Sequence, residues 1–93
     1  MRFNKESAVE RAKKDLAERL NVSEGEIEVA DITETDFPNM SLGAPENGEM
    51  SAQMISTGWK IGLRSDGNEY EYRADKYQLR LSNYDGNNFV IQP

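Results

Sequence analysis

Val9, Ala12, Leu16 and Leu20, with Ala8 beside them, recur at the three- and four-residue spacing of a helix with one apolar stripe. This predicts a helix over residues 5–20. Asn4 is placed to cap its first turn, because its side chain accepts a free backbone N–H, and Phe3 is placed to staple onto Ala8. Glu10 with Lys14 and Asp15 with Arg19 form favourable pairs on the wet face. Asn21 tolerates the left-handed conformation that stops a helix.

Beyond a turn at Val22-Ser23-Glu24-Gly25 the period changes to two. Ile27 and Val29 share one face of a strand, then Ala30 and Ile32 continue on the other parity, so a β-bulge is expected near 29–31. Further strands are expected at 50–55, at 59–64 with Trp59, Ile61 and Leu63 on one face, and at 69–74 with Tyr70 and Tyr72 on one face. A strand at 77–81 and an edge strand at 89–91 complete the set, with Asp66-Gly67 and Asp85-Gly86 as hairpin turns. The pattern predicts one α+β domain over 1–93. In it, one N-terminal amphipathic helix packs on an antiparallel β-sheet of about four to five strands, leaving one covered and one wet face.

Residues 37–48 break every period. Their prolines, glycines and asparagines mark a long ordered loop, yet Phe37, Met40 and Leu42 give it an apolar content that calls for packing.

Composition narrows the chemistry. There is no cysteine and no histidine among the 93 residues, which removes disulfides, thiolate zinc sites, a thiol nucleophile and the usual neutral-pH base. The chain carries a net charge of −6, and residues 21–55 hold eight acidic and no basic side chains. That segment repels phosphate backbones, so no nucleic-acid partner is expected. No stretch is apolar enough for a membrane span, and the polar start does not resemble a signal peptide. A soluble monomer is expected, cytoplasmic or cut from an exported protein.

Asp15-Leu16-Ala17-Glu18-Arg19-Leu20, Ile27-Glu28-Val29, Ser41-Leu42-Gly43-Ala44-Pro45, Met50-Ser51-Ala52-Gln53, Gly58-Trp59-Lys60-Ile61-Gly62-Leu63 and Gly67-Asn68-Glu69-Tyr70-Glu71-Tyr72-Arg73-Ala74-Asp75 follow one another in order. In this the chain resembles a family of small prokaryotic domains with a W-P-D-x-S-L-G-C-P loop and a G-x-x-Y-x-Y strand, over about residues 8–75. Phe37, Asn39 and Ala44 stand where that pattern has tryptophan, aspartate and cysteine, so any role needing that carboxylate or thiol is lost. The resemblance implies a binding module of exported or membrane-associated proteins. The helix-on-sheet layout also looks like small peptidase-inhibitor and propeptide-like domains.

The loop is the expected working surface. Phe37, Met40, Ser41, Leu42, Gly43 and Pro45, flanked by Glu34 and Asp36, are the candidate contacts for another protein with a basic or peptidase surface. A protein binder should leave Leu42 or Met40 at least partly accessible; if both are buried, the loop is a core plug instead. The alternative is a ligand- or polymer-binding appendage, marked by a pocket lined by Tyr70, Tyr72 or Trp59. An enzyme would need two carboxylates converging in a cleft. A Ser56/Lys60 dyad has no motif support, and neither a catalytic residue, a cofactor nor a metal site is expected.

Overall fold

The structure, a computed structural model, describes residues 2–93. Helix α1 runs Lys5–Leu20, as its periodicity predicts. Asn4 Oδ1 accepts the Ser7 N–H at 2.8 Å while Ser7 Oγ accepts the Asn4 N–H at 2.9 Å. Two N–H groups at the helix start are thus satisfied reciprocally. Asn21 closes the helix at φ 56°. Ala8, Ala12, Leu16 and Ala17 are buried, and Val9 and Leu20 pack at the margin of the core. Of the two expected ion pairs only Asp15–Arg19 forms, at 2.7 Å, and Asp15 is turned partly toward the sheet rather than to water. The expected turn tightens into a short 3-10 helix, Glu24–Glu26, where the Glu26 carboxylate accepts the Ser23 N–H.

Five strands follow: β1 (Glu28–Phe37), β2 (Ser56–Ser65), β3 (Asn68–Ala74), β4 (Leu79–Tyr84) and β5 (Asn87–Gln92). They form one antiparallel sheet in chain order, so β1 and β5 are its edges. Asp66 and Gly67, at φ 50° and 78°, and Asp85 and Gly86, at φ 51° and 81°, make the hairpins. Two successive positive φ values match the strand twist, which is why Asp-Gly serves at both. The bulge is where the parity slip placed it. Val29 pairs with Leu63 and Asp31 with Gly62, leaving Ala30 as the extra residue. Asp31 then lies over Gly62, where a Cβ would stand 2.0 Å from its Oδ1.

Ile61, Leu63, Tyr72, Ala74, Leu79 and Leu81 pack against α1, with Phe3 and Ile27 closing the ends. This is the face predicted to be covered.

Three expectations are corrected. Residues 50–55 are not a strand. Pro38 ends β1, since it has no N–H to donate, and β2 therefore begins at Ser56, opposite Phe37. The segment instead runs beside the loop, with the Met40 N–H donating to Ala52 O at 2.9 Å. Met50, Met54 and Ile55 are left exposed. Next, β4 begins at Leu79 rather than Tyr77. The Asp75 carboxylate takes the N–H groups of Tyr77 and Gln78 at 2.8 and 3.0 Å, holding them in a turn and leaving Tyr77 57% exposed. Finally, the second sheet face is not simply wet, because the loop lies across part of it.

Candidate functional site

Three features qualify as working surfaces: the loop, a pocket beside Trp59, and the outer edge of β1.

The loop is built around Asn39. Its Oδ1 accepts the Ser41 N–H at 3.1 Å, the Gly43 N–H at 3.0 Å and the Ser41 hydroxyl at 2.7 Å. One side-chain oxygen thereby nucleates the turn, as an Asx residue does. Its carbonyls then face the sheet. Met40 O accepts from Gln78 Nε2 at 2.6 Å, Leu42 O from an Arg73 guanidinium nitrogen at 2.9 Å, and Ala44 O from Arg80 at 3.2 Å. Arg80, nearly buried, also holds Glu49 in a two-pronged ion pair at 2.5 and 2.7 Å. That hydrogen bonding, with the Glu46 N–H, pulls the Glu49 carboxyl down to about 2 from an ordinary 4.5. At the far side Glu46 accepts the Val90 N–H and Pro45 O accepts from Asn88, tying the loop to β5.

The side chains follow the backbone. Phe37, Ser41 and Leu42 are fully buried, which removes them from the expected contact set. Met40 is half-buried, while Gly43, Pro45, Glu34 and Asp36 are exposed. The backbone groups that were expected to meet a partner are engaged by the sheet, because a buried carbonyl without a donor is costly. The strained element of the loop is Leu42 itself, at φ 58°. A leucine is rarely found there and is held by its burial and by Arg73. Sequence reasoning missed Arg73, Gln78 and Arg80 as anchors. The signal for Arg73 and Arg80 was long polar side chains on strand positions opposite the apolar face, whereas Gln78 lies in the turn before β4.

The second feature is a pocket of about 380 Å³ lined by Glu34, Trp59, Lys76 and Tyr77, with Ser56, Thr57, Gly58 and Asp75 around them. Sequence reasoning named Trp59 as a pocket residue, and the structure places it there. Tyr72 is instead buried in the core, its hydroxyl donating to Asp15. Tyr70 stacks toward Tyr84 with ring centres 6.0 Å apart. Asp75 is already satisfied by the Ser56 hydroxyl at 2.7 Å and by two backbone N–H groups. That same bond directs Ser56 to Asp75 rather than to Lys60. Glu34 and Lys76 enter no ion pair among the described residues. Arg2 holds its guanidinium 5.6 Å from the centre of the Tyr77 ring.

The third feature is the edge. β1 is ten residues long and hydrogen-bonds to β2 alone. Among the described residues no backbone bond reaches it from outside the sheet. It carries Glu28, Asp31, Glu34 and Asp36 with no basic residue, and Val29 and Ile32 are exposed at 43% and 37%. Among the described residues no group of three or more acidic side chains is arranged to hold a metal ion. Among the described residues no helix is long and apolar enough to cross a membrane.

Comparison with known proteins adds one finding. Neither a search of curated proteins nor one of solved structures found a match. Residues 9–81, from the first turns of α1 into β4 and including the whole loop, match a family signature, with β5 lying beyond it. The chain belongs to the family described as a domain of unknown function (DUF8738).

Proposed function

We propose that this domain is a non-catalytic protein-interaction module that adds an extended, basic segment of another protein to the free edge of β1. The observation that carries this is the contrast between the two sheet edges. β5 is tied to the loop by Pro45 and Glu46, whereas β1, among the described residues, pairs with no strand but β2. An open edge offers a row of main-chain donors and acceptors to an incoming strand. Its acidic side chains guard against pairing with a second copy of itself, since like charges meet. The same charges draw in a basic strand, and Val29 and Ile32 supply apolar contact. The loop supports this reading only as scaffold: its Leu42 anchor is spent on the sheet, which takes support from an inhibitor-like presentation.

The test is a titration of isotope-labelled protein with a ten-residue peptide of alternating lysine and threonine. The expected result is amide shift changes concentrated in residues 28–37, weakened by added salt. An alternating glutamate–threonine peptide serves as control. Absence of shifts in β1, or equal binding by the acidic peptide, refutes the proposal.

A further inference from the structure

Glu34, Trp59 and Ala74 lie in register across β1, β2 and β3, and the chain continues from Ala74 through Asp75 to Lys76. The register thus sets Glu34 on one side of Trp59 and Ala74, two residues before Lys76, on the other. The Glu34 and Ala74 backbones are about two strand spacings apart, roughly 10 Å. Glu34 and Lys76 both line the cavity and neither enters an ion pair among the described residues, although they have opposite sign. Between them the wall is aromatic, with Trp59 half-buried and Tyr77 exposed. The other carboxylate, Asp75, is saturated by its own bonds and does not compete.

We infer that this pocket binds a zwitterion whose ammonium and carboxylate are separated by an aliphatic chain: an ω-amino acid, or the carboxyl-terminal lysine of another chain. Glu34 takes the ammonium, Lys76 takes the carboxylate, and the methylene spacer lies on Trp59 and Tyr77. Glu34 and Lys76 enter no ion pair among the described residues, while the Tyr77 ring already has the Arg2 guanidinium 5.6 Å from its centre. An α-amino acid fits poorly, because both its charges sit on one carbon and cannot reach both sides of the indole. A simple amine meets the repulsion of Lys76, and a simple carboxylate that of Glu34. Glu34 is common to this pocket and to the acidic edge of β1, but the inference concerns a zwitterion held on the face of the sheet rather than a strand added to its edge.

Trp59 is the only tryptophan, so its emission reports the pocket directly. The experiment titrates the protein with ε-aminocaproate and follows that emission. A saturable change is expected, with hexylamine, caproate and α-aminocaproate each at least about tenfold weaker. Glu34→Gln and Lys76→Gln, both at exposed positions, should each weaken binding about tenfold while leaving the unfolding midpoint unchanged. Nα-acetyllysine separates the two sources. If it binds as well as ε-aminocaproate while its amide does not, a carboxyl-terminal lysine is the ligand. If only ε-aminocaproate binds, the ligand is a free ω-amino acid. The inference is overturned if the emission shows no saturable change, if hexylamine or caproate matches ε-aminocaproate, or if neither substitution weakens binding.

Discussion

The Tyr72 hydroxyl donates to Asp15 Oδ2 at 2.7 Å, so the centre of the sheet is bonded to the helix that covers it. The same oxygen accepts Arg19 Nε at 2.7 Å. A side chain that the helical pattern placed on the wet surface thus becomes the polar link between the two layers. Tyr72 is otherwise wholly buried, and burial, reinforced by Asp15, pushes its phenol far above the ordinary 10.

Tyr72→Phe keeps the ring and removes only this bond. It should lower stability by about 2 kcal/mol, as expected for a hydrogen bond to a charged acceptor, read as a lower urea midpoint with an unchanged slope. The native phenol holds its proton more tightly than the unfolded one. Its contribution is therefore complete below pH 10 and is lost as pH rises above it. The stability gap between wild type and Tyr72→Phe should shrink in that alkaline range.

Glu49 and Arg80 clamp the loop from the other side. Glu49→Gln leaves the nearly buried Arg80 without its counter-charge and should cost about 3 kcal/mol. The pH dependence has the opposite sign to that of Tyr72. The native carboxyl is depressed from 4.5 to about 2, so its contribution is present above pH 4.5 and fades as pH falls toward 2. Denaturation of both proteins across that acid window should show the gap closing.

Leu42 tests how the loop is anchored. Leu42→Ala should cost about 3 kcal/mol, because a fully buried leucine is lost where the pinned loop cannot collapse. Met40→Ala, at a half-buried position, should cost about 1 kcal/mol. Hydrogen exchange should rise at Leu42 and Ala44, whose N–H groups bond within the loop, far more in the first variant than in the second. Equal effects would mean that the loop is not anchored through Leu42.

Gly58 marks a close crossing of backbones. A Cβ there would stand 1.9 Å from Ala74 O, so Gly58→Ala must push β2 and β3 apart. The expected loss is at least about 2 kcal/mol, visible as a lower melting temperature. The Trp59 emission should shift with it, since Gly58 and Trp59 line the same pocket.

Much of the fold was legible along the chain. The bounds of α1, its Asn4 and Asn21 caps, the bulge at Ala30 and both Asp-Gly hairpins are local devices, each set by residues within a few positions of one another. The candidate site was legible in place but not in role. Residues 37–48 stood out as an apolar, ordered loop, yet Phe37, Ser41 and Leu42 were expected at a partner surface and lie in the interior. Their fate depends on Arg73, Gln78 and Arg80, more than thirty residues away. Nothing local tells a loop carbonyl which donor it will meet.

The amino-acid sequence by itself determined one helix, its stops, the alternating strands, and the absence of cysteine and histidine chemistry. These follow from periodicity, capping and composition, which act over a turn or a strand. Only the tertiary structure decided which face the loop covers, that residues 50–55 do not join the sheet, that Tyr77 emerges, and that Glu34 and Lys76 line one pocket with Trp59. Those outcomes depend on strand register, which aligns residues far apart in the chain. Register is chosen by the whole sheet as it buries its apolar face.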